Sequence, residues 1–340
     1  MNIKILAKKL GISITTVSRA LGGYSDVSEK TREKVLKYAR KYNYTPNLNA
    51  SNLASRRSNI VGLVIPLYGL NSNRLNQASF FEFISGMNEL ILKENYQFNL
   101  SFVNSQKDEK KMYEDLIHVQ KVKKIILHNL KKNDQRINLL KKNNVDFVAW
   151  GRTQGKIDYK WVDLDNELSI NLIMDYLIKK NHQKIAFVNT KEEYNFAFQR
   201  KQAFLNYLKN NNLEYNKEYY LSAFEDPEQA SNLIKKMLSN CPEITSIICS
   251  TEFSAAGAIK ACNELGKKIG ENISIITFDG YIVNSISSPS LTAVTHDRKV
   301  LGQNAIEILL SKNNKAEKNN FLAKPKIIER GSVYEIKKKA

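Results

Sequence analysis

A short polar stretch near the start of the chain gathers hydroxyls and one guanidinium: Ile14, Thr15, Thr16, Ser18 and Arg19. Hydroxyls donate to phosphates or base edges, and an arginine fork matches the O6 and N7 acceptors of guanine. The chemistry on offer is recognition of a duplex, not bond making. A second set of residues lies far downstream. Asp279 ends an apolar run, where a carboxylate can accept two hydrogen bonds from a diol, and Arg200 can donate a fork to hydroxyls. Arg152 follows the segment Asp146 to Trp150, Phe80 (or Phe81) follows the first apolar run of the body, and Thr251 follows the run Ser246 to Ser250. These side chains suit a polar small molecule with an apolar face. The alternative roles are surface ion pairs for the charged residues and core packing for the aromatic ones.

The elements that must position the first set are local. Ala7 is small enough for two helices to cross, and Gly11 can take the positive φ that ends the first of them. Ser13 stands where an N-cap satisfies the free amides of the second helix. Ile12, Val17 and Leu21 plug the space beneath, which leaves Ile14, Thr15, Thr16, Ser18 and Arg19 outward. This is the pattern of a helix-turn-helix, whose second helix enters the major groove. A third helix is expected from Ser28 to Tyr42, with Val35, Leu36 and Ala39 on its apolar side and Lys30, Arg32, Lys34, Lys37, Arg40 and Lys41 on the other.

The second set depends on a larger frame. From Asn59 onwards, short apolar runs such as Ile60 to Pro66 alternate with segments of helical period. Strands are expected at Phe98 to Val103, Lys124 to His128 and Asp146 to Trp150. A second series has strands at Lys184 to Asn189, Tyr219 to Phe224, Ser246 to Ser250 and Ser274 to Phe278, with helices between them. Alternation at this spacing implies parallel sheets covered by helices, and two series imply two doubly wound lobes. Ligands of such lobes bind beyond the carboxyl ends of the strands, in the cleft between them.

Composition narrows the function classes. The chain has 340 residues and a formal net charge of +18, but its lysines are spread over the whole length, so the charge adds little to the local signal. Cys241, Cys249 and Cys262 show no CxxC spacing and read as structural thiols of a reducing compartment. His118, His128, His182 and His296 lack metal-ligand spacing, so no metal and no cofactor are expected. No nucleophile elbow, P-loop or dinucleotide fingerprint occurs. Asp163 and Asp165 read as strand-end residues and not as an acid–base pair, so no catalytic residue is assigned. No apolar run reaches the length of a membrane span. The chain opens directly on its helical head, which fits a cytoplasmic protein.

Gly11 to Leu21 (Gly-Ile-Ser-Ile-Thr-Thr-Val-Ser-Arg-Ala-Leu), Val27 to Val35, Tyr44-Thr45-Pro46-Asn47, Ala50 and Leu53-Ala54 together resemble the head of the lactose/galactose repressor (LacI/GalR) family. The body resembles it too, through Asp165-Asn166, Lys184 to Val188, Arg200 with Phe204, Phe278-Asp279-Gly280, Pro289 to Val294 and Leu301-Gly302-Gln303. The resemblance implies that Ile14, Thr15 and Arg19 read base edges and that Ser13, Thr16, Ser18, Ser28, Thr31, Tyr44 and Asn47 contact phosphates. Residues from Asn47 to Arg56 match a hinge helix that orders on specific DNA. Within it Asn52 faces DNA, and Leu53 matches a leucine that wedges into the minor groove. Asn49, Ser51, Asn52 and Ser55 are poor helix formers, which fits a hinge unformed in the free protein. Arg200 and Asp279 match ligand-contacting positions, and Trp150 and Tyr281 fall near the cleft by the same logic. Two departures stand out. Asp26 places a carboxylate where the family often has a neutral or basic residue, and Thr251-Glu252 replaces the usual Asn-Asp.

The implied fold is an all-α helix-turn-helix head with a hinge helix, then an α/β body of two doubly wound lobes like those of periplasmic binding proteins. Expected boundaries are 1–46 for the head, 47–59 for the hinge, 60–160 plus 290–320 for the first lobe and 161–289 plus 321–334 for the second. The implied function is a homodimeric repressor released from a double-stranded pseudopalindromic operator by a sugar or sugar derivative, with no membrane partner. A corepressor-dependent repressor and a sugar-binding receptor module are the alternatives. Lys337 to Lys339 leaves no room for a tetramer-forming helix, which favours the dimer.

Overall fold

A computed structural model describes residues 2–44, 59–68, 78–222, 226–278, 286–311 and 319–337. The chain divides into two units, Met1–Asn59 and Ile60–Ala340.

The first unit is built from α1 (Ile3–Leu10), α2 (Ile14–Leu21) and α3 (Glu29–Lys41). Each helix starts on a side-chain cap: Asn2, Ser13 and Ser28 accept from the amides of Ile5, Thr16 and Thr31. Such caps each contribute about 1 kcal/mol. Gly11 ends α1 at φ 68, and its amide reaches back to the carbonyls of Ala7 and Lys8. Leu6, Ala7, Leu10, Val17, Ala20, Val27, Val35 and Ala39 form the core. Two expectations are corrected here. Leu36 is 37% exposed, and Leu21 only flanks the core, whose place on α2 goes to Ala20. In so small a core the methyl of Ala20 lets α2 approach closely, and Leu21 packs against its edge.

Among the described residues the second unit contains two six-stranded sheets. The first holds β1 (Ile60–Pro66), β2 (Gln97–Val103), β3 (Lys124–Leu127), β4 (Asp146–Trp150), β5 (Lys160–Leu164) and β11 (Asn320–Ala323), in the order β11-β5-β4-β3-β1-β2, all parallel. The second holds β6 (Ile185–Asn189), β7 (Tyr220–Ser222), β8 (Ser246–Cys249), β9 (Ser274–Phe278), β10 (Thr292–Thr295) and β12 (Lys326–Ile328), in the order β12-β10-β9-β8-β6-β7. Only the β10–β12 pair is antiparallel in it.

Strand alternation splits each lobe's core into two layers. Val61, Leu63 and Ile65 face α4 (Ala78–Lys93) and α11 (Arg298–Leu310), whereas Val64 faces α5 (Gln106–Glu114) and α6 (Gln135–Lys142). In the second lobe Ile185 and Phe187 face α7 (Asn166–Lys179) and α8 (Asn195–Asn210). Ala186 and Val188 face α9 (Pro227–Asn240) and α10 (Glu252–Glu264). The α4–α11 crossing needs glycine: a Cβ on Gly302 would lie 2.2 Å from the Phe83 carbonyl oxygen. Cys241, Cys249 and Cys262 are free, buried thiols whose pKa values burial pushes up, so they pack as small apolar groups.

The sheet assignments move the expected lobe boundaries. β5 stays in the first sheet although 161 was the expected start of the second lobe. β10 belongs to the second sheet although 290 was the expected return, and β11 still belongs to the first beyond 320. The strand itself was expected, since Asp163 and Asp165 read as strand-end residues; what the sequence misplaced is the sheet that Lys160–Leu164 joins. Among the described residues β7 spans Tyr220–Ser222, with Ala223 and Phe224 of the expected strand outside them, and α5 runs on into a π-helical turn at Asp115–Val119.

The tail is tied to the second lobe through buried His182, which contacts Thr245 at 2.9 Å, the Tyr334 carbonyl at 3.0 Å and Ser274 at 3.0 Å. Burial lowers its pKa below 6.5, with the Tyr334 carbonyl opposing. The folded state therefore holds the neutral imidazole, and its contribution is present above pH 6.5 and lost as pH falls through the lowered value. Urea midpoints are expected to drop between about pH 7 and pH 5, and the gap between the wild type and His182→Gln should narrow over the same window. A gap independent of pH would contradict this account of His182.

Candidate nucleic-acid interface and effector cleft

On α2 the side chains of Ile14, Thr15 and Ser18 are exposed, Arg19 is partly so, and Val17 and Ala20 point into the core. The helix thus turns one polar face and one isoleucine, 43% exposed, to the outside. Ser13 and Thr16 bond each other at 2.8 Å, and Ser28 and Thr31 do so at 2.9 Å. A hydroxyl carries one donor, so in each pair one proton joins the two oxygens and the other stays available for a phosphate. Both pairs sit at helix N-termini, where free amides and the helix dipole attract anions. Tyr44 packs its ring on the head core, and burial raises its pKa. Arg19 is held at the surface by Asp26, with the Nη2–Oδ2 distance 2.6 Å, and lies 4.7 Å from the centre of the Tyr24 ring. Asn47, Asn52 and Leu53 lie outside the described residues.

In the body, the residues singled out from sequence gather where the strands end. Arg200 is 5% exposed and bonds through Nε to Asn166 Oδ1 at 2.8 Å and through Nη1 to the Ser250 carbonyl at 3.0 Å. Its guanidinium lies 3.7 Å from the centre of the Phe278 ring. It therefore links the start of α7 to the ends of β8 and β9. Asp279 follows Phe278 directly, but Asp279 and Tyr281 lie outside the described residues. Arg152 pairs with Asp163 at 2.8 Å and lies over Trp161. Burial raises the Asp163 carboxyl pKa, against the pull of Arg152. Asp165 is separately used as the N-cap of α7.

An aromatic wall stands beside this pair. Trp150 stacks on Phe83 at 3.9 Å and meets His128 at 4.7 Å, and Phe80 meets His128 at 5.4 Å. Phe80 is 7% exposed and belongs to the core layer beneath, so it supports the wall, while Phe81 is 54% exposed. Thr251 is the N-cap of α10, in a capping box with Ser254. Its hydroxyl accepts from the Ser254 amide at 3.2 Å and lies 3.1 Å from the Ser254 hydroxyl, just after the end of β8.

Four polar atoms that sequence reasoning missed lie at the same end of the second sheet. Asn189 Oδ1, Thr190 Oγ1, Asn195 Oδ1 and Ser250 Oγ are buried without a hydrogen-bond partner. Leaving such an atom unpaired costs about 1–3 kcal/mol, so a polar guest is favoured there. The available signal was modest: Asn189-Thr190 and Ser250 each end an apolar run on polar residues. Beside them the lobes touch. The Asn195 amide donates to the Leu130 carbonyl at 3.1 Å and the Lys132 amide to the Glu193 carbonyl at 2.9 Å. Lys131 pairs with Glu193 at 3.0 Å.

The segment that makes this bridge is held from below by Arg136, also unseen in the sequence. Arg136 bonds the His128 and Asn129 carbonyls at 3.0 and 3.2 Å, Glu109 at 2.9 Å and Asp134 at 2.6 Å. Asp134 in turn accepts from the Lys131 amide at 3.2 Å. Among the described residues no group of three or more His, Cys, Asp or Glu could hold a metal ion, and no helix is long and apolar enough to cross a membrane.

Comparison with known proteins agrees with this division. Residues 2–47 match the family model described as bacterial regulatory proteins, lacI family, and residues 174–333 match that of the periplasmic binding protein-like domain. The HTH-type transcriptional regulator AglR of Rhizobium meliloti is 32% identical over 281 residues, covering 82% of this chain and 78% of that protein. The HTH-type transcriptional repressor PurR of Histophilus somni is 26% identical over 337 residues, covering 97% and 98%. A crystal structure of the lac repressor dimer bound to operator and the anti-inducer ONPF superposes with a TM-score of 0.83 at 23% identity, covering 98% of this chain and 99% of that one. At that identity the fold is what the two share.

Proposed function

Because the chain belongs to the LacI family of bacterial regulatory proteins, and is thus a DNA-binding transcriptional regulator and not an enzyme, we propose that it is a cytoplasmic homodimeric repressor released from a pseudopalindromic operator by a sugar or sugar derivative. The observation that carries the effector reading is the set of unpaired buried oxygens at Asn189, Thr190, Asn195 and Ser250, which lies beside Arg200. Hydroxyl-rich ligands supply the donors these oxygens lack, and the Trp150 wall offers a face for the apolar side of a sugar ring. Arg152 and Asp279 complete the proposed contacts. Thr251 is a further proposed contact, offered from the start of α10.

An exposed apolar flank on the first lobe supports the dimer. Leu100 and Phe102 are 36% and 48% exposed on edge strand β2, and Phe81 and Leu92 are 54% and 64% exposed on α4. Two heads then meet two half-sites about one helical turn apart. In each, Ile14, Thr15 and Arg19 read bases, while Ser13, Thr16, Ser18, Ser28, Thr31, Tyr44 and Asn47 hold phosphates. Asn52 and Leu53 belong to the paired hinges, with Leu53 as the wedge. Effector shifts the equilibrium only by its differential affinity for the operator-bound and released states, typically about 1–3 kcal/mol.

The chain has two tryptophans, and both lie near Arg152: Trp161 under its guanidinium and Trp150 two residues before it. Titration of a panel of mono- and disaccharides should therefore change intrinsic fluorescence for the true effector. The same sugar should weaken operator affinity by roughly 5- to 150-fold. A ligand that tightens operator binding would make the protein corepressor-dependent. Absence of any response, in fluorescence and in operator affinity, across the panel would remove the sugar reading.

A further inference from the structure

We propose that Asp26 is a specificity-determining positioning residue that aims the guanidinium of Arg19 at a base pair. The proposal rests on the reading of α2 as the helix that enters the major groove. Asp26 takes one edge of the fork at two points: Arg19 Nε donates to Oδ1 at 3.1 Å, and Nη2 lies 2.6 Å from Oδ2. That edge is the Nε side. The opposite edge, made of Nη1 and the second Nη2 proton, is the one that matches guanine O6 and N7. The clamp and the readout therefore use different donors and are compatible.

A cradle supports the clamp. The Tyr24 ring lies 4.7 Å from the guanidinium and fixes its plane. Gly22 makes room for that ring, since a Cβ there would come within 2.9 Å of it. Arg32 on α3 holds the Tyr24 carbonyl at 2.8 Å, which ties the cradle to the rest of the head. Arg19 and Asp26 remain 43% and 56% exposed, and an ion pair so exposed adds little to fold stability. Its effect lies in order: a long side chain that is already aimed loses less freedom when it meets its base. A carboxylate beside the fork also repels phosphate, which discourages Arg19 from serving as an unspecific backbone contact.

The test compares the full-length wild type with Asp26→Asn, Arg19→Ala and the double variant. Each is measured on the best-binding duplex selected by the wild type from a random library, on that duplex changed one base pair at a time, and on random duplex. Arg19→Ala identifies the base pair that Arg19 reads. Asp26→Asn should lower discrimination at that same pair by about tenfold, leave the other pairs alone, and add nothing further in the Arg19→Ala background. If Asp26→Asn instead raises affinity for every duplex by one common factor and keeps all preferences, Asp26 is only a repelling charge and the proposal fails. If Arg19→Ala leaves every preference intact, the base-reading role of Arg19 falls first and the positioning role with it.

Discussion

Arg136→Met is expected to destabilise the body by about 3–5 kcal/mol, because it strips the partner from buried carboxylates. Asp134 and Glu109 keep only 4% and 14% of their side-chain surface, and both pair with this guanidinium, their other donors being the neutral Lys131 and Arg136 amides and the Tyr68 hydroxyl. The His128 and Asn129 carbonyls lose a donor as well. Burial pushes the Asp134 carboxyl up, but Arg136 and the Lys131 and Arg136 amides more than offset that and hold it below 3.8. A depressed carboxylate contributes stability above its unfolded pKa and loses it as pH falls through the folded one. In the variant the same carboxyl is free to rise and take up a proton. The deficit relative to wild type should therefore be largest near neutral pH and shrink as the solution is acidified. Urea denaturation of both proteins over a pH series reads this directly. A deficit below about 1 kcal/mol would mean that water reaches the carboxylates and that Arg136 organises nothing.

Arg200→Met is expected to abolish release by effector while leaving operator affinity nearly unchanged. The guanidinium joins Asn166, the Ser250 carbonyl and the Phe278 face, so it both touches the proposed cleft and holds its second-lobe wall together. Methionine keeps much of the volume but no donor. Coupling of this kind amounts to about 1–3 kcal/mol, so operator affinity with and without saturating effector should differ roughly 5- to 150-fold in wild type and not at all in the variant. Unliganded operator binding and the thermal midpoint serve as controls for folding. A variant that folds and is still released normally would take Arg200 out of the effector response.

The head was legible because its signals are local. Gly11, Ser13 and Ala7 act within a few residues of where they stand, and helix, turn and cap follow from them. The βα alternation of the body was legible for a similar reason: each buried strand is an apolar run. What escaped depends on distant chain segments meeting. β12 pairs antiparallel with β10 across a long separation, so neither short strand declares itself. The strand end at Asp163 was read, but not the sheet that β5 joins, which its pairing with β4 and β11 decides.

The site followed the same rule. Arg152 was found from its place after a recognisable strand and Arg200 from its match to the family, but their pairing with Asp163 and Asn166 was not. Asp26 was noticed as out of place, yet its clamp on Arg19 is set by the turn geometry around Gly22. The unpaired oxygens of Asn189, Thr190, Asn195 and Ser250 are invisible to any reading of residue types, since only packing decides which polar atoms lose their water.

The most direct test of the central claim is selection from a random double-stranded DNA library with the purified full-length protein, at near-physiological salt and without effector. A dimeric reader with one recognition helix per chain predicts an enriched inverted repeat whose half-site centres lie about one helical turn apart. A Leu53 wedge further predicts a preferred, easily kinked step at the centre of the repeat. Failure to enrich any inverted repeat, both with the protein alone and with cell extract supplying small molecules, would contradict the account.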